Sequence, residues 1–373
     1  MTITKSIISP TKFLMRKDLL KDLGTFTSNY GKKAFLLSDP FVFNKVKDEC
    51  LSSFSDNAAY IAEFGGQCSD SEIERHKFLA SERDYIVAIG GGKTIDTAKA
   101  LADSLSKPVI IVPTIASTDA PCTAISVIYN EDGSFNRYVF LKRSPDAVFA
   151  DTSILSAQPP RFFAAGVGDG LATYFEARAC WKSQSDNLVK AGSSMLKPSL
   201  IGFSIAKLCY ETIRDNAALG AIAVKNKAIT LALENTIEAT IYMSAVGAES
   251  GGCAAAHAIH NGMTIIDDLH GAQHGEKVIF GLFTQLIMEG APLKEIEEVL
   301  SIVEAVGLPL TLADLGLKIF IEEEWRKVAE VACYENDTMH NMPFKVTPSM
   351  VFDAIIATNT MLEKYKTEQK LVA

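Results

Sequence analysis

The first 150 residues constrain the fold most, because short uninterrupted apolar runs there alternate with segments of helical periodicity. Residues Ala34–Ser38 and the stretches 60–64, 85–89 and 109–112 read as strands. A strand open to water on one face alternates apolar and polar side chains, so a continuous apolar run implies cover on both faces. Helices are expected over 41–54, from a cap at Ser69 or Ser71 to about Ser81, and over 94–106. This alternation predicts a parallel sheet flanked by helices. Stretches 123–129 and 138–142 flank Asn130-Glu-Asp-Gly133 and read as an antiparallel pair, with 146–150 returning to the sheet.

After Pro159-Pro160 the texture changes. Apolar residues recur at helical spacing and strand signals become few. Helices are expected over 161–181, 199–214, 218–246, 251–262, 274–289, 294–305, 321–333 and 348–366. The expected organisation is an α/β domain over 1–160 and an all-α domain over 161–373. At roughly 150 residues per domain, 373 residues agree with two.

Composition excludes several function classes. The 36 basic residues against 45 acidic ones give a net charge of −9, which argues against a general nucleic-acid binder. No apolar run reaches the roughly 18 residues of a membrane span, and the N-terminus has no apolar signal core. Seven scattered cysteines without a CxxC suit a reducing compartment, so a cytoplasmic chain with buried thiols is expected.

Chemistry concentrates in a few segments. Strand 85–89 leads into Gly90-Gly91-Gly92-Lys93-Thr94, and glycines before a helix start let a phosphate approach free backbone N–H groups. This is no P-loop, since Val87 stands where its first glycine would fall, and Ile95 breaks the ordinary dinucleotide fingerprint. A tight turn without a ligand stays open. Asp39, just past the 34–38 strand, can accept hydrogen bonds from ribose hydroxyls and repel a 2′-phosphate, or can simply cap the next helix. Residues 113–126, rich in Ser and Thr, follow the fourth strand on the same edge and offer either ligand hydroxyls or a solvated turn.

Four of the six histidines (His257, His260, His270, His274) fall within eighteen residues. His257 and His260 share a helix face, and His274 opens another helix. Converging neutral imidazoles suit a first-row divalent metal, and a set of hydrogen-bonded polar residues is the alternative. Asp169, flanked by Gly168 and Gly170 in an apolar stretch, is the candidate third ligand or, alternatively, a helix cap.

Together and in this order, GGGKTIDTAKA (90–100), PTIASTDAPCTAISVIY (113–129), GVGDGLATYFEARAC (166–180), AAAHAIHNG (254–262) and HGEKV (274–278) resemble the iron-containing alcohol dehydrogenases, in their zinc branch of glycerol dehydrogenases. The resemblance spans nearly the whole chain. It implies a Rossmann-like N-terminal domain, a helical C-terminal domain and an active site in the cleft between them. It further implies Asp169, His257 and His274 as zinc ligands, Gly92 and Lys93 at the NAD pyrophosphate, and Asp39 at the adenosine ribose. Thr114, Ser117, Thr123, Ile125 and Tyr129 would line the rest of the NAD site, with Asp119 and His274 facing a small polyol. Asp119, His260 or solvent would take the proton, and His340 would either line the cleft or be structural. Iron-using relatives carry a further histidine at position 173, where this chain has Thr173. A homo-oligomer is implied as well. A dehydroquinate synthase-like lyase, a 2-oxo-acid or ketone reductase, and a non-catalytic nucleotide binder are the competing expectations.

Overall fold

The computed structural model describes residues 3–55, 58–192 and 194–372. Nine strands shape the N-terminal half: β1 (Lys5–Ser6), β2 (Phe13–Arg16), β3 (Ala34–Ser38), β4 (Ala59–Glu63), β5 (Tyr85–Gly90), β6 (Val109–Pro113), β7 (Ile125–Tyr129), β8 (Phe135–Phe140) and β9 (Ala147–Asp151). Six form one sheet in the order β2-β9-β6-β5-β3-β4, every neighbouring pair parallel. The four central strands are buried along their whole length, which is why their sequences run apolar without alternation. The edge strand β2 has no such run, and sequence reading missed it; its residues are only half-buried. β7 and β8 form the expected antiparallel pair, with β8 starting at Phe135 rather than 138.

Topology prepares a binding edge. From β3 the chain steps outward to β4, then crosses back to β5 on the other side of β3. The crevice at such a reversal, beyond the carboxyl ends of the strands, is where open α/β sheets take ligands. Register places Ser38 beside Ile89 and Gly90 beside Pro113. The ladder runs on beyond the strands through Asp39 N to Ile89 O (2.9 Å) and Thr114 N to Gly90 O (3.1 Å). Asp39, the glycine turn and Thr114 therefore stand side by side at one edge.

Three helices cover this sheet: α1 (Pro40–Ser52), α2 (Asp70–Ser81) and α3 (Gly92–Leu105). Ser69, not Ser71, caps α2, accepting from Glu72 N. Helix α3 begins at Gly92, two residues before the expected start.

The C-terminal half is helical: α4 (Pro160–Ser183), α5 (Leu200–Lys225), α6 (Leu231–Glu238), α7 (Ser244–Gly251), α8 (Ala255–Met263), α9 (His274–Glu289), α10 (Leu293–Val306), α11 (Glu322–Ala332) and α12 (Pro348–Val372). One expectation needs correction. Separate helices are expected over 199–214 and 218–246, but Asp215 pairs with Arg214 at the surface and Asn216 bonds Thr212 O and Asn235, so α5 runs through. The real break follows Lys225, where Lys227 takes a left-handed φ of 53° and Thr230 caps α6. Between α6 and α7 the chain forms a turn of π-helix at Ala239–Met243.

One apolar core joins the halves: Ile95 and Ala98 of α3 and Ile111 of β6 pack in the same cluster as Phe163, Val167 and Leu171 of α4. β1 also pairs with the short strand Lys197–Pro198 on the helical side. All seven cysteines are free, six of them buried. No helix among the described residues is long and apolar enough to cross a membrane.

Candidate active site between the sheet edge and the helices

Gly91 caps α3 with no side chain of its own, leaving the first-turn N–H groups open. A β-carbon on Gly92 would find only Thr118 Oγ1, at 3.7 Å, so a ligand can approach this backbone. Beside it, the buried Thr94 hydroxyl has no partner among the described residues. Asp39 borders the turn, its Cβ 3.0 Å from where a Gly90 β-carbon would lie. Its Oδ1 accepts from Phe41 N (2.8 Å), so the capping alternative is realised, while Oδ2 is left for another donor. Lys93 lies over the Tyr129 ring, 5.2 Å from its centroid. An open helix start, a neighbouring carboxylate and an orphaned hydroxyl fit a dinucleotide.

The loop after β6 carries Thr114, Ser117 and Thr123, all buried, and half-buried Asp119. Sequence reading assigned nothing to its anchor, Lys99. That ammonium, almost wholly buried on α3, donates to Ala120 O (2.8 Å), Thr123 O (3.3 Å), Thr123 Oγ1 (3.2 Å) and Ile125 O (2.5 Å), and pairs with Asp96 at 2.9 Å. From the helical side, buried Glu249 accepts from Ala124 N at 3.0 Å.

Asp169, His257 and His274 come together where α4, α8 and α9 meet. Asp169 Oδ1 lies 3.4 Å from His257 Nε2 and 3.3 Å from His274 Nε2. Glycines permit this. A β-carbon on Gly168 would stand 2.6 Å from Gly275 O, and one on Gly166 would stand 1.9 Å from Ala116 O, which seats α4 against the loop after β6. The second Asp169 oxygen receives Asp119 N at 3.3 Å, so one carboxylate touches both halves.

Behind His257 stands Glu176, fully buried and not singled out from sequence. Its Oε2 lies 2.5 Å from His257 Nδ1, and its Oε1 accepts from Ala254 N (2.8 Å) and His257 N (2.9 Å). Ala254 cannot cap α8, so Glu176 supplies that cap from α4. A carboxylate only accepts, so Nδ1 carries the proton, and with a cation in place Nε2 would present its lone pair to that cation. Behind His274, its Nδ1 meets His260 Nε2 at 3.0 Å. One carboxylate and two imidazoles within 4.8 Å of one another, with carboxylate support behind, fit a divalent-metal centre. Thr173 spends its hydroxyl on Ser244 (2.9 Å) and adds no ligand.

Charge is tightly balanced here. Burial opposes ionisation of Asp169, but the imidazoles of His274 and His257 outweigh it and hold the carboxyl well below its ordinary range. Burial, reinforced by Asp169, pushes Asp119 up to about 7. Burial and the neighbouring His274 and Lys277 hold His260 well below the usual imidazole value. The other histidines have work elsewhere: His76 pairs with Glu72, His270 Nε2 donates to Thr264 O, and His340 Nε2 donates to Tyr334 O.

The sequence model of the iron-containing alcohol dehydrogenase family matches residues 10–152. A glycerol dehydrogenase from Escherichia coli is 45% identical over 366 residues, covering 97% of this chain and 98% of that protein. One from Thermotoga maritima is 47% identical over 354 residues, covering 94% and 96%. The crystal structure of glycerol dehydrogenase from Schizosaccharomyces pombe superposes with a TM-score of 0.93 at 33% identity, covering 99% of this chain and 94% of that one.

Proposed function

The chain belongs to the iron-containing alcohol dehydrogenase family and is an oxidoreductase, and from that premise we propose that it oxidises glycerol, or a related vicinal diol, to dihydroxyacetone with NAD and zinc. The observation that carries this reading is the convergence of Asp169, His257 and His274 beside Asp119, next to the loop that borders the glycine turn.

Gly92 and Lys93 would hold the NAD pyrophosphate and Asp39 the adenosine ribose. Thr114, Ser117, Thr123, Ile125 and Tyr129 would line the remainder, kept in place by Lys99 and Glu249. Asp169, His257 and His274 would hold the metal. When bound, zinc supplies Lewis acidity to an alcohol oxygen and NAD accepts the hydride. Asp119, whose backbone N–H bonds Asp169, orients the polyol and takes the hydroxyl proton. His260 acts through His274, since its Nε2 is committed to that imidazole. The net change is two electrons and a proton passed to NAD as hydride, and one proton released.

A lyase acting on a phosphorylated, carboxylated substrate would need free cations here. Of the two nearest, Arg178 is bound to Glu289 (2.9 Å) and Glu295 (2.6 Å), which leaves Lys277 where several would be needed. The test is net NADH formation across a panel of glycerol, 1,2-propanediol, other diols and hydroxy acids. Accumulation with vicinal diols is expected; NAD binding without net NADH from any of them would refute the reading. The division at 160 and a homo-oligomeric state belong to the same proposal.

A further inference from the structure

The contact between His274 and His260 does not end there. His260 Nδ1 lies 3.1 Å from Asn261 Oδ1, and Asn261 Nδ2 lies 3.0 Å from Asp337 Oδ2. The other Asp337 oxygen accepts from Thr338 N (2.6 Å), which ties the carboxylate to the turn it caps, while the Thr338 hydroxyl gives its proton to Ala254 O (2.7 Å). The Tyr138 hydroxyl, from β8, reaches Asn261 Oδ1 at 3.4 Å. Asp337, Asn261, His260 and His274 form a line from the turn at 337–341, through α8, to the first residue of α9.

Donor and acceptor chemistry gives this line one direction. A carboxylate can only accept, so Asn261 must turn its NH2 group toward Asp337. Its oxygen then faces His260 and requires the proton of that neutral ring on Nδ1. His260 Nε2 becomes an acceptor, so His274 must donate from its own Nδ1. That leaves Nε2 of His274, on the side of Asp169, to present its lone pair to a metal. Glu176 enforces the same state on His257 in one step; for His274 it takes three residues. Ring orientation and tautomer of a metal-binding histidine are commonly set by such an outer partner.

We propose that Asp337 and Asn261 are positioning residues, which act through His260 to lock His274 in its metal-binding tautomer. Neither touches the metal ligands, and neither figures in the reading of the active site above. The proposal rests on that reading in one respect, that Asp169, His257 and His274 hold a divalent cation.

The test uses the full-length protein, stripped of metal and titrated with Zn²⁺ against a chromophoric chelator. The visible spectrum of the Co²⁺-loaded form is recorded in parallel. Asn261→Leu removes both bonds of the amide, and Asp337→Asn puts in place of the carboxylate, at nearly constant volume, an amide whose single oxygen is held by Thr338 N–H and whose NH2 then faces that of Asn261. Each should weaken Zn²⁺ binding by about 10–100-fold and shift the Co²⁺ spectrum. Asn261→Asp alone sets two carboxylates face to face and should do the same. Combined with Asp337→Asn, the introduced carboxylate accepts from His260 and from the new amide, so the direction of the line returns. The double variant should recover wild-type Zn²⁺ affinity and spectrum, a rescue that a merely structural role does not predict. Wild-type affinity and spectrum in both Asn261→Leu and Asp337→Asn would overturn the proposal and leave the metal site standing. Failure of the double variant to recover would also overturn it. Zn²⁺ affinity unaffected by Asp169→Asn and His274→Ala would overturn both the proposal and the metal reading beneath it.

Discussion

A β-carbon added to Gly275 would stand 1.8 Å from the carbonyl oxygen of Ala165 and 3.0 Å from the backbone nitrogen of Asp169. Because Gly275 directly follows His274, this backbone contact sets the distance between two of the three proposed ligands. The glycines beside Asp169 and His274 are thus a requirement of the site as much as of the fold.

Gly275→Ala should therefore force α9 away from α4. A displacement of about 1 Å can cost about 100-fold in rate, and overpacking typically costs about 1–3 kcal/mol. Loss of bound zinc and a comparable loss of turnover are expected in a protein that still folds. Gly271→Ala, where a β-carbon meets nothing within 4 Å, is the matched control. Metal analysis, turnover and thermal unfolding of the pair check this; equal zinc content in both would contradict it.

Lys99→Met should unsettle the loop that carries Thr123 and Ile125. It strands buried Asp96, and breaking a buried pair in this way costs about 3–5 kcal/mol. The Lys99→Met, Asp96→Asn double variant should recover part of that stability while NAD binding stays weak, because the carbonyls of Ala120, Thr123 and Ile125 still lack their donor. Denaturant unfolding and NAD titration separate the two effects.

Glu249 predicts a pH dependence with a definite sign. Burial pushes its carboxyl up from an ordinary 4.5 to about 7, against the opposing Ala124 N–H and Lys99. Across that window the folded chain keeps a proton that the unfolded chain releases. Its contribution is full below about 4.5 and is lost as pH rises through about 7. Glu249→Gln keeps an oxygen for Ala124 N without a charge to bury. Its melting temperature in the metal-free protein should fall less than wild type over this range, and parallel curves would contradict the account.

Asp39→Gly should narrow the preference for NAD over NADP. Glycine is tolerated at a helix N-cap at a cost of only a few tenths of a kcal/mol, so the change in selectivity separates from any loss of stability. An unchanged ratio of kcat/KM for the two cofactors would remove Asp39 from the ribose site.

Much of this arrangement was legible in the sequence because it follows local rules. Helix α9 begins and ends where its periodicity predicts, and β3 matches its apolar run residue for residue. The residues that escaped are those whose role depends on distant partners. Glu176 lies in the same helix as Asp169, yet its cap and its histidine belong to α8. Lys99 carried a readable sign: it sits three residues after Asp96 in a helix whose positions 94–102 are all buried, where a lone cation needs acceptors nearby. Asn261 carried none, since a polar residue near a helix end looks the same whether it meets water or Asp337. The long helix α5 reads as two from its sequence, while tertiary contacts decide otherwise.

The most direct test of the central claim measures NADH formation from glycerol and NAD before and after stringent removal of metal, with Asp169→Asn alongside. The account predicts no turnover in the metal-free protein, recovery on adding Zn²⁺, and no recovery in Asp169→Asn. Full turnover by the metal-free protein would contradict it.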